Sequence, residues 1–299
     1  MKRSSNKRLN IISVILFVVI IIAFYAFSGS FRDGVNKLVG LPVPSVSTEG
    51  NIEMHVIDVG QGDSILIKSE KSALLIDAGP NSSQDKLVSY LKAQGIDKLD
   101  CLVLTHPHED HIGGADLVLE SFITDTVLMP DFPSSTKAFE NLLDAIEARS
   151  LNITIPRRGD KFILDNVNYT VLSPSESGYE ETNDYSIGLK IEFGETSFVL
   201  TGDAETLSES EMLEHFGADF LGCDVFKAAH HGSTTSNSKR FIEALSPDYV
   251  AISCGLDNDY GHPHKEVREL FEELGITVYR TDFDSNIVFV SNGKEVSVR

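Results

Sequence analysis

The sequence predicts an α/β protein: sheets covered by helices, preceded by one apolar N-terminal helix. Three observations carry this reading. From residue 51 onward, short β-branched runs alternate with helical stretches, the pattern of layered α/β domains. One strand candidate, residues 99–106, is almost continuously apolar, as a strand covered on both faces requires. And residues 9–27 contain no charge at all.

The chain has 299 residues, 41% of them hydrophobic and 23% charged, a globular composition rather than a disordered one. Its 25 basic and 45 acidic residues give a net charge of −20. That excludes a broad surface for coating nucleic acid, which needs clustered Lys and Arg, while leaving room for a local cleft. Three cysteines without a CxxC pair argue against a disulfide framework and against a cysteine-built zinc module.

Residues 1–8 carry Lys2, Arg3, Lys7 and Arg8 and no acid. Residues 9–27 follow, 19 residues that make a helix of roughly 28 Å, close to the bilayer core. The apolar character on every side argues against a buried amphipathic helix. A signal anchor fits the length better than a cleaved signal peptide, although release after cleavage stays open. With the basic end inside, the expectation is a single-pass membrane protein: residues 1–8 cytoplasmic, 9–27 spanning, 28–50 a Gly-, Pro- and Ser-rich linker, and 51–299 one extracytoplasmic domain. Removing the four N-terminal bases leaves 21 basic against 45 acidic, or −24, on residues 31–299.

Within that domain, residues 52–59 read as a strand, 60–64 as a tight turn, and two further strands lead to Asp77. A helix is expected over 83–94, the apolar strand over 99–106, and helices near 113–120 and 136–148. A β-rich region is expected over 152–201. Then come a helix at 204–216, a strand at 222–229, helices at 238–245 and 265–274, and short strands to 298.

Seven of the nine histidines fall in three short clusters. His106, His108, Asp110 and His111 follow the apolar strand in an H-x-H-x-D-H pattern. Imidazoles two apart at a strand end can share one metal, and Asp110 with His111 can face a second. Gly113 and Gly114 let the next helix start close by. Asp203 ends another apolar strand, where it can bridge two metals or simply cap a helix. His230 and His231 end a third. Adjacent strand residues point opposite ways, so one of the pair is expected to bind metal.

These segments resemble the metallo-β-lactamase superfamily. HVIDVGQGDSILI, LLIDAG, LVLTHPHEDHIGG, LTGDAE, KAAHHGSTTS and YGHPH resemble in particular its ComEC-like branch, the hydrolase domain attached to a DNA-uptake channel. The similarity spans about residues 52–291. It implies an αββα sandwich with two divalent ions, Zn²⁺ or Mn²⁺, held by loops at one edge. It does not imply transport, because one apolar segment cannot form a pore. By position, it implies His106 and His108 at metal site one, Asp110 and His111 at site two, Asp203 between them, one of His230 and His231 completing site two, and Asp77 bracing the histidine loop.

One departure stands out. The superfamily usually supplies a third site-one histidine before the bridging Asp, yet residues 112–201 contain none. Asn183 is the expected substitute, with Ser186 beside it, both as substrate-side groups. An amide suits Mn²⁺ better than Zn²⁺, so site one is expected to be weak. The resemblance also places His262 toward the site, contacting substrate or donating a proton. Ser233 is expected either to bind phosphate oxygens or to serve as a helix cap. Asp63 is expected to be structural, His55 packed, His215 near a helix end, and His264 on a helix surface.

The expected function is a membrane-anchored, extracytoplasmic metal-dependent hydrolase that uses a metal-bound hydroxide. Asp110, Asp203 and His262 would act at the reacting centre, and the substrate would be a phosphodiester of DNA or of the cell envelope. The alternative is a non-catalytic, membrane-tethered binding module with a degenerate metal site. The acidic domain favours a small or locally gripped substrate over a tightly bound polyanion.

Overall fold

The computed structural model describes residues 50–175 and 177–299. The expected cytoplasmic segment, signal anchor and most of the linker lie outside the described residues. Among the described residues, no helix is long and apolar enough to cross a membrane.

The chain begins with an antiparallel meander, β1 (Ile52–Val56), β2 (Ile65–Lys68) and β3 (Ala73–Ile76). The short β4 (Lys98–Leu99) precedes β5 (Cys101–Val103), which pairs parallel to β3. After β6 (Ile123–Thr124), which pairs with β4 in a separate two-stranded ribbon, come β7 (Val127–Leu128) and β8 (Ile153–Thr154), extending the sheet in parallel. The second sheet starts with β9 (Lys161–Leu164), β10 (Val167–Ser173), β11 (Gly188–Phe193) and β12 (Thr196–Leu200), all antiparallel. It continues in parallel through β13 (Val225–Lys227), β14 (Tyr249–Ile252) and β15 (Thr277–Arg280). The final hairpin, β16 (Ile287–Ser291) and β17 (Val296–Val298), returns to the first sheet, where β16 lies beside β1. The strand orders are β17-β16-β1-β2-β3-β5-β7-β8 and β15-β14-β13-β12-β11-β10-β9.

Side-chain alternation assembles these sheets into four layers. Ile65 and Ile67, Leu74 and Ile76, Cys101 and Val103 face a central core shared with Phe198, Leu200 and Val225 of the second sheet. The residues between them, Leu66, Leu75 and Leu102, face an outer core made with Leu87, Leu91, Val118, Phe139 and Leu142. On the opposite side Val199, Phe226, Val250 and Ile252 meet Met212, Phe241, Leu245 and Phe271. A strand that serves two cores must be apolar at every position, which explains the run at 99–106. The covering helices supply one apolar stripe each. In Lys137–Ala148 it is Ala138, Phe139, Leu142, Ala145 and Ile146, and Thr136 caps the helix by accepting from Phe139 N.

The structure departs from the sequence reading in three places. Residues 153–154 join the first sheet and not the β-rich region that follows them. The strand expected over 99–106 ends at Val103, because the Asp77 carboxylate captures Thr105 at both its backbone N–H and its hydroxyl. The strand expected over 222–229 is only Val225–Lys227, preceded by a helical turn at Ala218–Leu221.

Candidate metal centre

The C-terminal ends of β3, β5, β12, β13 and β14 open at one edge of the sandwich, where loops in α/β proteins gather ligands. Asp77 follows β3 directly, in the left-handed region (φ 58°). It is fully buried. Its Oδ1 accepts from Thr105 N at 2.7 Å, its Oδ2 accepts from Thr105 Oγ1 at 2.7 Å, and Oδ2 lies 2.7 Å from His111 Nδ1. Burial outweighs His111 and raises the carboxyl's pKa. The contact fixes the His111 ring with Nε2 turned to the carboxylates of Asp203 and Asp110, at 3.2 and 3.9 Å.

The loop bearing His106 to His111 packs on backbone with almost no clearance. A Cβ at Gly113 would sit 2.4 Å from Asn81 N, and one at Gly62 (φ 140°) 2.3 Å from the Asp110 carbonyl. Only glycine permits that approach. His106 is buried, with Nδ1 3.1 Å from Thr105 Oγ1 and 3.3 Å from Ser186 Oγ; its Nε2 is 2.9 Å from His108 Nδ1 and 3.7 Å from Asp203 Oδ2. Desolvation keeps its pKa well below the usual imidazole value.

His230 and His231 do not lie on a strand. Both occupy left-handed backbone (φ 50° and 53°) in the turn after β13, a strained conformation for non-glycine residues. The alternation expected of adjacent strand residues therefore does not apply, and both rings turn toward the acids. His231 is buried, its Nε2 3.2 Å from Asp110 Oδ2 and 3.7 Å from Asp203 Oδ2. His230 Nε2 is also 3.7 Å from Asp203 Oδ2, while its Nδ1 meets Thr235 Oγ1 at 3.0 Å on the more open side.

The donor set fits a divalent cation. Asp110, His111, Asp203 and His231 each offer a ligand atom, all within 4.8 Å of one another. Asp203 Oδ1 and His111 Nε2 are buried without a hydrogen-bond partner among the described residues, a costly arrangement for isolated groups. The electrostatics make the same demand. Burial opposes charge throughout, yet His111 and His231 hold the Asp203 carboxyl well below its ordinary range, and His111 together with His231 does the same for Asp110. In return the carboxylates overcome desolvation to raise His111 well above its usual value and His231 to about 9. The acids call for nearby positive charge, which two imidazolium protons or a cation can supply. Carboxylate and imidazole are donors suited to Zn²⁺ or Mn²⁺.

The remaining predicted residues have different surroundings. Asn183 Nδ2 donates to Glu205 Oε1 at 3.0 Å, leaving its Oδ1 buried and unpartnered. Ser186, predicted on the substrate side, is fully buried; its hydroxyl accepts from Asp203 N at 3.1 Å, so here it braces the carboxylate's backbone. Ser233 is also buried and accepts from Thr235 N at 3.3 Å, shaping the turn. His262 lies over the pair, its ring centroid 5.5 Å from that of His230, with Tyr260 stacked on it at 5.6 Å. Burial and the neighbouring imidazoles lower its pKa to about 4. Of these four, His262 faces a cleft of about 680 Å³, together with His108, Asp110, Asp203, His230 and His231; its rim includes Gln61, Ser82, Thr136 and Tyr260, with no Lys or Arg among the described residues that line it. Sequence reasoning missed Tyr260, Glu205 and Lys227. For Lys227 the available signal was a lysine inside an otherwise apolar strand.

The four-layer fold and the acid–histidine cluster at its edge define a metallohydrolase scaffold. Residues 57–255 match the metallo-beta-lactamase superfamily, and the chain belongs to that superfamily, whose members are generally metal-dependent hydrolases. Among curated relatives, ComE operon protein 3 of Bacillus subtilis is 34% identical over 264 residues, covering 82% of this chain and 34% of that protein. Competence protein ComA of Neisseria gonorrhoeae is 30% identical over 250 residues, 82% of this chain and 33% of that one. Ribonuclease J of Helicobacter pylori is 24% identical over 254 residues, 76% and 31%. The chain thus spans about a third of the length of these relatives. Among solved structures, the metallo-beta-lactamase fold protein YhfI of Bacillus subtilis aligns with TM-score 0.55 at 16% identity, covering 81% of this chain and all of that one.

Proposed function

We propose that the chain is a metal-dependent phosphodiesterase, tethered to the membrane by its N-terminal segment with the hydrolase domain outside the cytoplasm. The observation that carries the catalytic reading is the convergence of Asp110, His111, Asp203 and His231 on one point at the floor of an open cleft. His106, His108 and Asp203 would hold a second cation beside the first. Two divalent ions at such a site lower the pKa of water and offset the charge that develops on the attacked centre.

The protein's own groups do the remaining work. Asp77 and Ser186 fix the ring of His111 and the backbone of Asp203, so little reorganisation is left for the reaction. Asp110 and Asp203 orient the attacking water. His262 is neutral at neutral pH, so its ring offers a hydrogen bond to the leaving oxygen rather than a charge. A diester is favoured over a β-lactam because no histidine completes site one between residues 112 and 201, and because a named nuclease is among the relatives. A cleft without Lys or Arg suits a substrate gripped locally at its phosphate, whether a DNA end or a cell-envelope diester. The basic residues 2–8 ahead of the uncharged segment 9–27 support the extracytoplasmic placement.

The test is metal analysis of the purified protein, followed by turnover of bis(p-nitrophenyl) phosphate with added Zn²⁺ or Mn²⁺. Asp203→Ala should retain the fold and lose at least about a hundredfold in rate, the scale of removing a charge-stabilising group. Wild-type protein that binds neither ion and cleaves no diester would leave the non-catalytic binding module as the correct reading.

A further inference from the structure

Below the cleft floor lies an ion pair that the proposed chemistry does not use. Lys227, the last residue of β13, is 1% exposed, and its ammonium donates to Asp63 Oδ2. Asp63, in the turn between β1 and β2, is equally buried. A pair of this kind is weak evidence for stability, because desolvating both charges offsets most of their attraction. Its surroundings suggest another use. The second Asp63 oxygen, Oδ1, lies 3.3 Å from His231 Nδ1, which is also 2.9 Å from the Ser253 carbonyl. Asp63 N donates to the Asp110 carbonyl at 3.1 Å. One residue therefore touches the ring of His231 and the backbone of Asp110.

We propose that Lys227 and Asp63 are positioning residues for the metal centre: Lys227 holds the Asp63 carboxylate against His231 Nδ1, which commits the proton of that ring to Nδ1 and leaves Nε2 free toward Asp110 and Asp203. Three features support this. Nδ1 faces the Ser253 carbonyl and Asp63, neither of which belongs to the acid cluster that would hold an ion, whereas Nε2 faces Asp110 and Asp203, which do; with an ion bound, Nδ1 is the nitrogen that carries hydrogen. The backbone of His231 is left-handed (φ 53°), so the ring needs external contacts to keep its aim. And Asp63, Asp77 and His111 bring their donor atoms within 4.8 Å of one another, so without the ammonium two buried carboxylates would face each other with only imidazole between them. Lys227 supplies the fixed positive charge on the protein side, which leaves the outward-facing acids to a cation. The arrangement extends the Asp77–His111 brace to the second ring by a different route.

The inference rests on the reading of this site as cation-binding, and calorimetric titration of the protein with Mn²⁺ or Zn²⁺ tests it without turnover. Lys227→Met alone strands the Asp63 charge and should lower the melting temperature. The double variant Asp63→Leu with Lys227→Met removes both charges and should melt at or above the wild-type temperature. It should nevertheless bind either ion about 10–100-fold more weakly, the scale seen when a partner that orients a ligand is lost. A double variant with wild-type affinity would overturn the proposal and leave the pair as a structural link between the sheets. Wild type that binds the ions but cleaves no diester would overturn the phosphodiesterase reading alone. Wild type that binds neither ion would overturn both.

Discussion

Asp77 Oδ2 and His111 Nδ1 are 2.7 Å apart, with both side chains fully buried. The carboxylate also accepts twice from Thr105, so it cannot turn away from the ring. Asp77→Asn should preserve the shape of the site but release His111. Metal affinity should fall about 10–100-fold, as for other carboxylates that orient a ligating imidazole. Titration of the variant with Mn²⁺ checks this, and an unchanged affinity would mean that His111 is aligned by packing alone.

Gly62→Ala should destabilise the protein by about 2 kcal/mol or more, within the range for a residue forced into forbidden backbone. The new Cβ would sit 2.3 Å from the Asp110 carbonyl, and the φ of 140° is one that alanine avoids. Because the clash is with the backbone of Asp110, metal binding should weaken together with stability. Chemical denaturation with and without Mn²⁺ measures both. A variant as stable as wild type would show that this loop yields.

His55 is held neutral by burial, which pushes its pKa below 6.5 despite the nearby Glu53 carboxylate. Its Nδ1 is 2.8 Å from the Tyr90 hydroxyl and its Nε2 is 3.2 Å from Glu53. The unfolded chain binds this proton more readily than the folded one, so the contribution of His55 is fully present above pH 6.5 and is lost as pH falls toward the depressed folded value. His55→Gln should therefore lose less stability than wild type between pH 7.5 and pH 5. Urea midpoints at the two pH values test it, and parallel losses in both proteins would rule His55 out as the cause.

The charge of −24 on residues 31–299 predicts an inverted salt response. With no Lys or Arg among the described residues that line the cleft, a long polyanion is repelled except at its bound phosphate. Salt screens that repulsion over a Debye length of about 10 Å at 0.1 M. Raising salt from about 20 to 200 mM should increase kcat/KM on single-stranded DNA several-fold relative to bis(p-nitrophenyl) phosphate at fixed metal. A ratio that falls with salt would reveal a basic path for nucleic acid.

What the sequence disclosed about this site follows from how the ligands are arranged along the chain. His106, His108, Asp110 and His111 are contiguous and follow one strand, so spacing alone suggested a metal. Asp203 and the His230–His231 pair each end an apolar run, and the fold brings all three segments to one edge. Asp63 and Lys227 were not legible as a unit because 164 positions separate them; Lys227 stands out in its apolar strand, but nothing local says which acid it meets. Ser186 read as a substrate contact, and Ser233 as either a phosphate contact or a helix cap, because sequence cannot show that a hydroxyl is already bonded to a spatially neighbouring backbone N–H. The four layers were foreseen from resemblance; periodicity identified the strands but not their partners. It gave no sign that residues 153–154 belong to the first sheet, or that the final hairpin crosses back to β1.

That crossing has a kinetic consequence. Ile52 pairs with Ser291, so β1 acquires one of its two neighbours only after more than 230 further residues have been made. Until then β1 presents an open edge of Ile52, Met54 and Val56, side chains that end up almost completely hidden. Contacts this distant in sequence close slowly, and a bare apolar edge is the kind that recruits other strands. An emerging domain is therefore vulnerable until residues 287–298 have been made, and that hairpin acts as a latch that ends the exposure.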